Sequence, residues 1–114
     1  MKKRTKRFAL RVLKLADALP TNRSGNAIAS QVVRSGTSVA ANYRAFCRAK
    51  SRADFINTAA IVEEEAADET CFWLELLADA ALMKPALVQR LLQEANEITA
   101  MLVASHKTAA SRDA

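Results

Sequence analysis

Apolar side chains recur every three or four residues along most of the chain, which is the spacing of one face of an α-helix. The pattern predicts four helices, over residues 4–19, 26–49, 52–82 and 85–106. The apolar face of the first helix is formed by Phe8, Val12, Leu15 and Leu19. Pro20 then ends that helix, since proline cannot continue the backbone hydrogen-bond ladder. The small and polar segment 107–114 is predicted to fray.

The middle two helices carry long apolar seams. The seam of the second helix is Ile28, Val32, Ser35, Val39, Tyr43 and Phe46. Gly36 lies inside this helix, where glycine costs about 1 kcal/mol relative to alanine, so we expect another helix to approach closely there. The seam of the third helix keeps heptad spacing along Phe55, Ala59, Val62, Ala66, Glu69, Trp73, Leu76 and Ala80. Ser51 is predicted to cap its start.

The fourth helix and the short connections complete the predicted architecture. Pro85 suits the first position of this helix. The inward positions are predicted to be Leu87, Leu91, Ile98 and Leu102. Because short connections place consecutive helices antiparallel, the sequence predicts an all-α, single-domain, up-down-up-down four-helix bundle.

A second apolar strip marks two of the helices. The extra positions are Leu10 and Leu13 on the first helix and Val88, Leu92 and Val103 on the fourth. A bundle core needs one face of each helix, so an additional face predicts a contact between subunits. The alternative is a wide core face within one small bundle.

Charge is distributed unevenly along the chain. Residues 1–52 hold 13 basic residues and one acidic residue, a net of +12, whereas residues 53–114 carry −7, and the whole chain +5. In an antiparallel bundle, ten basic residues gather at one end: Lys2, Lys3, Arg4, Lys6, Arg7, Arg44, Arg48, Lys50, Arg52 and Lys107. Such clustering is typical of phosphate binding.

This basic end predicts contact with the backbone of RNA or DNA. The predicted phosphate contacts are Arg4, Lys6, Arg7, Arg48, Lys50 and Arg52. The aromatic residues there, Phe8 and Phe46, are expected in the core, so binding should not be strongly base-specific. The alternatives are a solvated basic end, or a protein-interaction module whose basic half meets acidic residues of a neighbouring subunit or of a partner protein: Glu63, Glu64, Asp68 and Glu75.

Polar residues along the edges of the second and third seams predict a network between helices. Its members are Arg34, Ser38, Asn42, Glu65 and Glu69. A carboxylate at the seam position Glu69 would need partners, so Glu69→Ala is expected to cost about 3 kcal/mol. A network that fixes the register of the helices is the favoured interpretation, and a ligand pocket is the alternative.

The sequence shows no recognisable set of catalytic or metal-binding residues. The single histidine, His106, has Val103 three positions before it, so the Glu-x-x-His pairs of di-metal bundles are absent. We therefore expect no metal, no cofactor and no enzymatic activity. Cys47 and Cys71 are too far apart along an antiparallel hairpin for a disulfide and are expected to be buried as small apolar residues. No apolar run is long enough to span a membrane, and a cytoplasmic location is expected.

Three segments resemble the small four-helix-bundle proteins known as 23S rRNA intervening-sequence proteins. They are QVVRSGTSVAANY at 31–43, SRADFI at 51–56 and EAADETCFWLEL at 65–76. The resemblance covers the chain from about Phe8 to Val103. It implies a bacterial helical bundle that assembles as a ring-shaped homopentamer without recognised enzymatic activity. A related branch serves diversity-generating retroelements by binding nucleic acid and a reverse transcriptase, which makes both classes of partner an expectation here.

Overall fold

The computed structural model describes the backbone of residues 2–111 and the side chains of residues 2–64 and 68–104. Every regular element in this part of the chain is helical: α1 (Lys2–Asp17), α2 (Arg23–Cys47), α3 (52–79) and α4 (Pro85–Ser111). The helices form an elongated bundle of 49 × 21 × 19 Å. The predicted all-α four-helix fold is confirmed. Helix α4 continues to Ser111, beyond the predicted end at residue 106.

Helix α2 begins three residues earlier than predicted because Asn22 caps it. The Asn22 side-chain oxygen accepts a hydrogen bond of 2.8 Å from the Gly25 amide, which satisfies one of the unpaired donors of the first turn. Ser51 caps α3 as predicted, since its hydroxyl accepts from the Asp54 amide at 3.0 Å. The Asp54 carboxylate in turn accepts from the Lys50 amide at 3.3 Å.

Helices α1 and α2 are packed closely at Gly36. A Cβ atom added to Gly36 would lie 2.9 Å from both methyl carbons of Val12, so only glycine permits this separation of the two helices. The close approach predicted at Gly36 is confirmed. It fixes the register in which the N-terminal part of α1 lies beside the C-terminal part of α2.

The core follows the predicted seams of α1 and α2. The predicted α1 positions Phe8, Val12, Leu15 and Leu19 are all buried. On α2, five of the six predicted positions are buried and Tyr43 is half-buried against them. Burial of each large apolar side chain contributes about 1.5–3 kcal/mol, so this double seam is a main source of stability.

Helix α3 departs from the predicted heptad at a π-helical turn. It consists of an α-helix over Arg52–Glu64, a π-helix over Glu65–Thr70 and an α-helix over Cys71–Asp79. Before the turn, the predicted seam positions Ala59 and Val62 are buried and Phe55 is half-buried. Beyond the turn, Leu74 and Leu77 are buried instead of Trp73 and Leu76. A π-turn bonds each residue to the fifth along the chain, which advances the inward face by one position.

The same shift corrects the predicted place of Glu69. Thr70 enters the core in its stead, and its hydroxyl donates a 3.1 Å hydrogen bond to the fully buried hydroxyl of Ser35 on α2. Glu69 instead accepts from Arg34 at the edge of the helix pair, with 40% of its side chain exposed. A surface ion pair contributes about 0.2–1 kcal/mol, so the expected loss of about 3 kcal/mol for Glu69→Ala is too large.

The remaining members of the predicted network do not join it. The Asn42 amide donates to the Ser38 carbonyl at 2.9 Å and to the Ser38 hydroxyl at 2.8 Å, and both residues belong to α2. The side chain of Glu65 lies outside the described residues. Among the side chains described, α2 and α3 are therefore joined by a buried hydroxyl pair and an exposed ion pair.

The inward face of α4 matches the prediction at Leu91, Ile98 and Leu102 and differs from it in the first turn. Its buried positions are Val88, Leu91, Ala95, Ile98 and Leu102. Val88, predicted at a subunit interface, is 1% exposed and lies in the core, whereas Leu87, predicted inward, is 51% exposed. The small Ala95 sets this phase, because it continues the spacing of Val88 and Leu91 towards Ile98.

Removing one hydroxyl of the buried Ser35–Thr70 pair should destabilise the bundle. We expect Ser35→Ala to lower the free energy of unfolding by about 1–2 kcal/mol. The substitution removes the Ser35 oxygen that accepts the Thr70 hydrogen bond, and water does not reach this site to replace it. The double variant with Thr70→Val should cost less than the sum of the two single variants. Urea unfolding of the four proteins measures this coupling. Strictly additive losses would show that the two hydroxyls do not interact.

Candidate nucleic-acid interface

A groove between α1 and α2 collects basic side chains from both helices. Four of its lining residues are Lys2, Lys3, Lys6 and Arg44, which we call the basic groove. The other described lining residues are Thr37, Ala40 and Ala41, so no carboxylate occurs among them. The α1–α2 register set at Gly36 produces this arrangement, because it places the first two turns of α1 beside the last turns of α2.

The shape of the basic groove leaves its charges accessible. Lys2, Lys3, Lys6 and Arg44 are all exposed. Ala40 and Ala41 lie between them and add only methyl groups, so a backbone of phosphates and sugars has room to approach. Positive charges on one side of a groove raise the local concentration of an anionic ligand.

The predicted phosphate contacts differ in their exposure and in whether they line the basic groove. Lys6 lines the basic groove, and Arg7, Arg48 and Lys50 are exposed at the same end of the bundle. Arg52 is half-buried at the first position of α3. The predicted set omits Lys2, Lys3 and Arg44, although they belong to the basic end. Gly36 is the sequence feature that could have identified these three residues as one group, because the close approach at Gly36 sets the register between α1 and α2.

Arg4 is the exception and corrects the predicted set. Its guanidinium donates to Glu94 on α4 at 2.7 and 3.1 Å and to Glu97 at 3.0 Å. These hydrogen bonds raise the pKa of Arg4 and lower the pKa of Glu94. The Arg4 side chain therefore ties α1 to α4, and a guanidinium held by two carboxylates is not available to a phosphate.

Aromatic residues near the basic end are largely enclosed. Phe8 is 1% exposed and Phe46 8% exposed, as predicted. The Phe46 ring packs between Tyr43 and Phe55, with centroid distances of 5.4 and 4.4 Å. Burial, followed by the hydrogen bond to Cys47, raises the pKa of Tyr43 to about 12. The cluster supports the α2–α3 turn and leaves little ring surface for bases.

The two cysteines have different surroundings. Cys71 is buried, as predicted, and its burial raises the pKa of its thiol. Cys47 is exposed, so the prediction that it is buried is wrong. It stands on the last turn of α2, whose inward position there is filled by Phe46. Neither cysteine forms a disulfide bond within the described part of the chain.

Acidic residues lie on the other side of the bundle, between α3 and α4. Glu63, Glu64 and Asp68 line a shallow cleft together with Thr99 and Val103. Among the described residues, no group of three histidine, cysteine, aspartate or glutamate side chains is arranged to hold a metal ion. Within the same part of the chain, no helix combines the length and apolar character needed to cross a membrane.

Replacing Arg4 should reduce stability in a pH-dependent way. We expect Arg4→Ala to cost about 1 kcal/mol at pH 7, because it leaves Glu94 without its bidentate partner. Arg4 lowers the pKa of Glu94 in the folded state, so this contribution is present above the unfolded pKa of about 4.3 and disappears as pH falls through the folded value.

Urea unfolding of wild type and Arg4→Ala from pH 7 to pH 2.5 measures the difference. Lys3→Ala is the matched control, because it removes an exposed charge one residue away and should change stability little. A stability difference between wild type and Arg4→Ala that stays constant over this range would contradict the assigned ion pair.

Comparison with known proteins identifies relatives of the same fold. Residues 1–104 match the family described as 23S rRNA-intervening sequence protein. A solved structure from Bacteroides thetaiotaomicron, described as a protein with unknown function from the S23 ribosomal protein family, superimposes with a TM-score of 0.86. It is 35% identical over 93% of this chain and 97% of that chain. No curated protein gives a significant match.

These matches agree with the resemblance carried by segments 31–43, 51–56 and 65–76. The family match extends over the four helices up to residue 104, and the solved relative shares nearly the whole fold. The chain belongs to the 23S rRNA-intervening sequence protein family.

Proposed function

We propose that the protein binds the phosphate backbone of RNA or DNA through the basic groove, without acting as an enzyme. The observation that carries this proposal is the gathering of Lys2, Lys3, Lys6 and Arg44 along one groove, where none of the described lining residues carries a carboxylate. Each of these cations can displace condensed counterions from a nucleic acid, and this release drives association. Arg7, Arg48 and Lys50 extend the positive surface at the same end.

The composition of the groove favours contact with the backbone over recognition of bases. Lysine provides a flexible point charge, and three of the four cations are lysines. The neighbouring aromatic rings pack against one another, whereas sequence-tolerant stacking requires exposed ring faces. Affinity should therefore depend strongly on salt and weakly on nucleotide sequence.

We also propose that copies of the chain associate, as an accessory or scaffold protein would, with a ring-shaped pentamer as the expected form. Six large apolar side chains of the described residues are at least 39% exposed: Leu10, Leu13, Ile61, Phe72, Leu87 and Met101. Apolar surface of this extent is typical of interaction sites. Leu10 and Leu13, two of the predicted interface positions, are exposed, whereas Leu92 and Val103 are half-buried and Val88 lies in the core.

Removing three cations of the basic end should weaken binding to all sequences alike. We expect Lys6→Ala, Arg44→Ala and Arg48→Ala together to lower affinity for a fluorescent single-stranded RNA and a DNA duplex. The log–log dependence of affinity on salt should become shallower by about 0.7–0.9 for each phosphate that the variant no longer neutralises. Fluorescence anisotropy across a salt series measures both quantities, with protein purified free of nucleic acid.

The matched control removes the same charge from the opposite end of the bundle. Lys14, Arg23 and Lys84 are all exposed there, and their triple alanine variant should bind nearly as tightly as wild type at moderate salt. Equal losses for the two triple variants would show that only net charge matters. Unchanged affinity in the Lys6, Arg44 and Arg48 variant would contradict the proposed site.

A further inference from the structure

Beside the end of α1, a pocket with an apolar floor has a positively charged rim. It has a volume of about 270 Å³ and lies between α1 and the start of α4. The floor is formed by Leu15, Ala18, Met83, Leu87 and Leu91, and the rim by Arg11, Lys14 and Arg90. We call this the Leu87 pocket, because Leu87 is 51% exposed although it lies among apolar neighbours.

The charge of this rim is only partly neutralised within the chain. The carboxylate closest along α4 is Glu94, which hydrogen-bonds to Arg4 and is influenced more weakly by Arg11. Lys14 and Arg90 are exposed, and within the described part of the chain no carboxylate lines the pocket. The pocket therefore suits an apolar group that is accompanied by negative charge.

Helix α3 presents a surface with the complementary chemistry. Phe72 is 52% exposed and has exposed acidic neighbours along the helix: Asp68, Glu75 and Asp79. Asp68 stands four residues before Phe72 and Glu75 three residues after it. We call these four residues the Phe72 patch. The Phe72 ring meets Trp73 edge-on at 4.9 Å, which fixes its position.

We propose that the Phe72 patch of one copy docks into the Leu87 pocket of a second copy, with Phe72 against the apolar floor and the carboxylates against the basic rim. Three acidic residues then face three basic ones, and an aromatic anchor enters a recess, which is the usual composition of an interface hot spot. This inference rests on the proposed self-association and names one pair of surfaces that takes part in it.

The two surfaces lie on different helices, so the contact joins unlike patches. Such a head-to-tail contact leaves one pocket and one patch unused at the ends of any open assembly. Further copies must add until the assembly closes on itself or grows as a filament. A buried phenylalanine supplies about 150–250 Å², less than a stable interface of about 1,200 Å² needs, so the charged rims must also be covered.

Two surface variants separate this contact from other modes of association. Phe72→Ala removes the anchor and keeps the pocket, whereas Leu87→Glu places a carboxylate in the pocket and keeps the anchor. Each variant alone should be monomeric in sedimentation velocity, with the dissociation constant raised at least about 30-fold, as for loss of a hot-spot residue. Both residues are more than half exposed, so circular dichroism should show an unchanged helical fold.

Mixing the two variants gives the decisive result. The Leu87→Glu chain supplies an intact Phe72 patch and the Phe72→Ala chain an intact pocket, so an equimolar mixture should form a dimer of one copy each and nothing larger. Asn57→Glu is the control, because Asn57 is exposed on α3 but belongs to neither surface; it should assemble as wild type does.

Three results would overturn the inference. Either variant assembling like wild type, or a mixture that stays monomeric, would show that these surfaces do not meet, while self-association itself would stand. Loss of assembly in Asn57→Glu as large as in Leu87→Glu would place the interface elsewhere. A monomeric wild type at all concentrations would contradict self-association altogether, and nucleic-acid binding by that monomer would leave the basic groove unaffected.

Discussion

The close contact of Val12 with Gly36 determines how charge is arranged on this bundle. Because Gly36 has no side chain, α1 lies against α2 at a separation that a Cβ atom would prevent. The contact holds the register in which Lys2, Lys3 and Lys6 stand opposite Arg44. A slide of α1 by one turn would be about 5.4 Å and would separate the lysines from the arginine. The basic groove is thus a consequence of core packing.

A second constraint acts where α3 packs against α2. The π-turn in α3 advances its inward face by one residue, which brings Thr70 to Ser35 and turns Glu69 and Phe72 towards the surface. The hydroxyl pair occupies a core position that the carboxylate of Glu69 would have entered at a much larger desolvation cost. The same turn gives the α3 surface its alternation of an exposed aromatic ring with carboxylates. Core polarity and surface chemistry are therefore linked in α3.

Sequence periodicity was sufficient for the helices and for most of the core. Phe8, Val12 and Leu15 show the regular spacing that predicts their burial. The errors arise where a single residue changes which positions of a helix face the core. In α3, segment 70–77 carries apolar side chains at both Trp73 and Leu74, so spacing alone could not reveal the π-turn. In α4, the small Ala95 carries little weight in an apolar pattern, although it lies in the core.

The candidate site could be predicted only in outline. Net charge along the chain identified the basic end, but charge counting treats all cations alike. Arg4 lies among the lysines in sequence, yet its hydrogen bonds to Glu94 and Glu97 on α4 pair its charge within the bundle. The pairing of Arg4 with residues some 90 positions away depends on the packing of α1 on α4, which local sequence does not encode.

Protection of lysines from acetylation tests the basic groove most directly. Wild-type protein would be treated with a limiting acetylating reagent, with and without a saturating oligonucleotide, and each lysine quantified by mass spectrometry. We predict that nucleic acid protects Lys2, Lys3 and Lys6 several-fold and leaves the exposed Lys14 and Lys84 at the other end reactive. Equal protection of all five lysines, or protection confined to Lys14 and Lys84, would contradict binding at the basic groove.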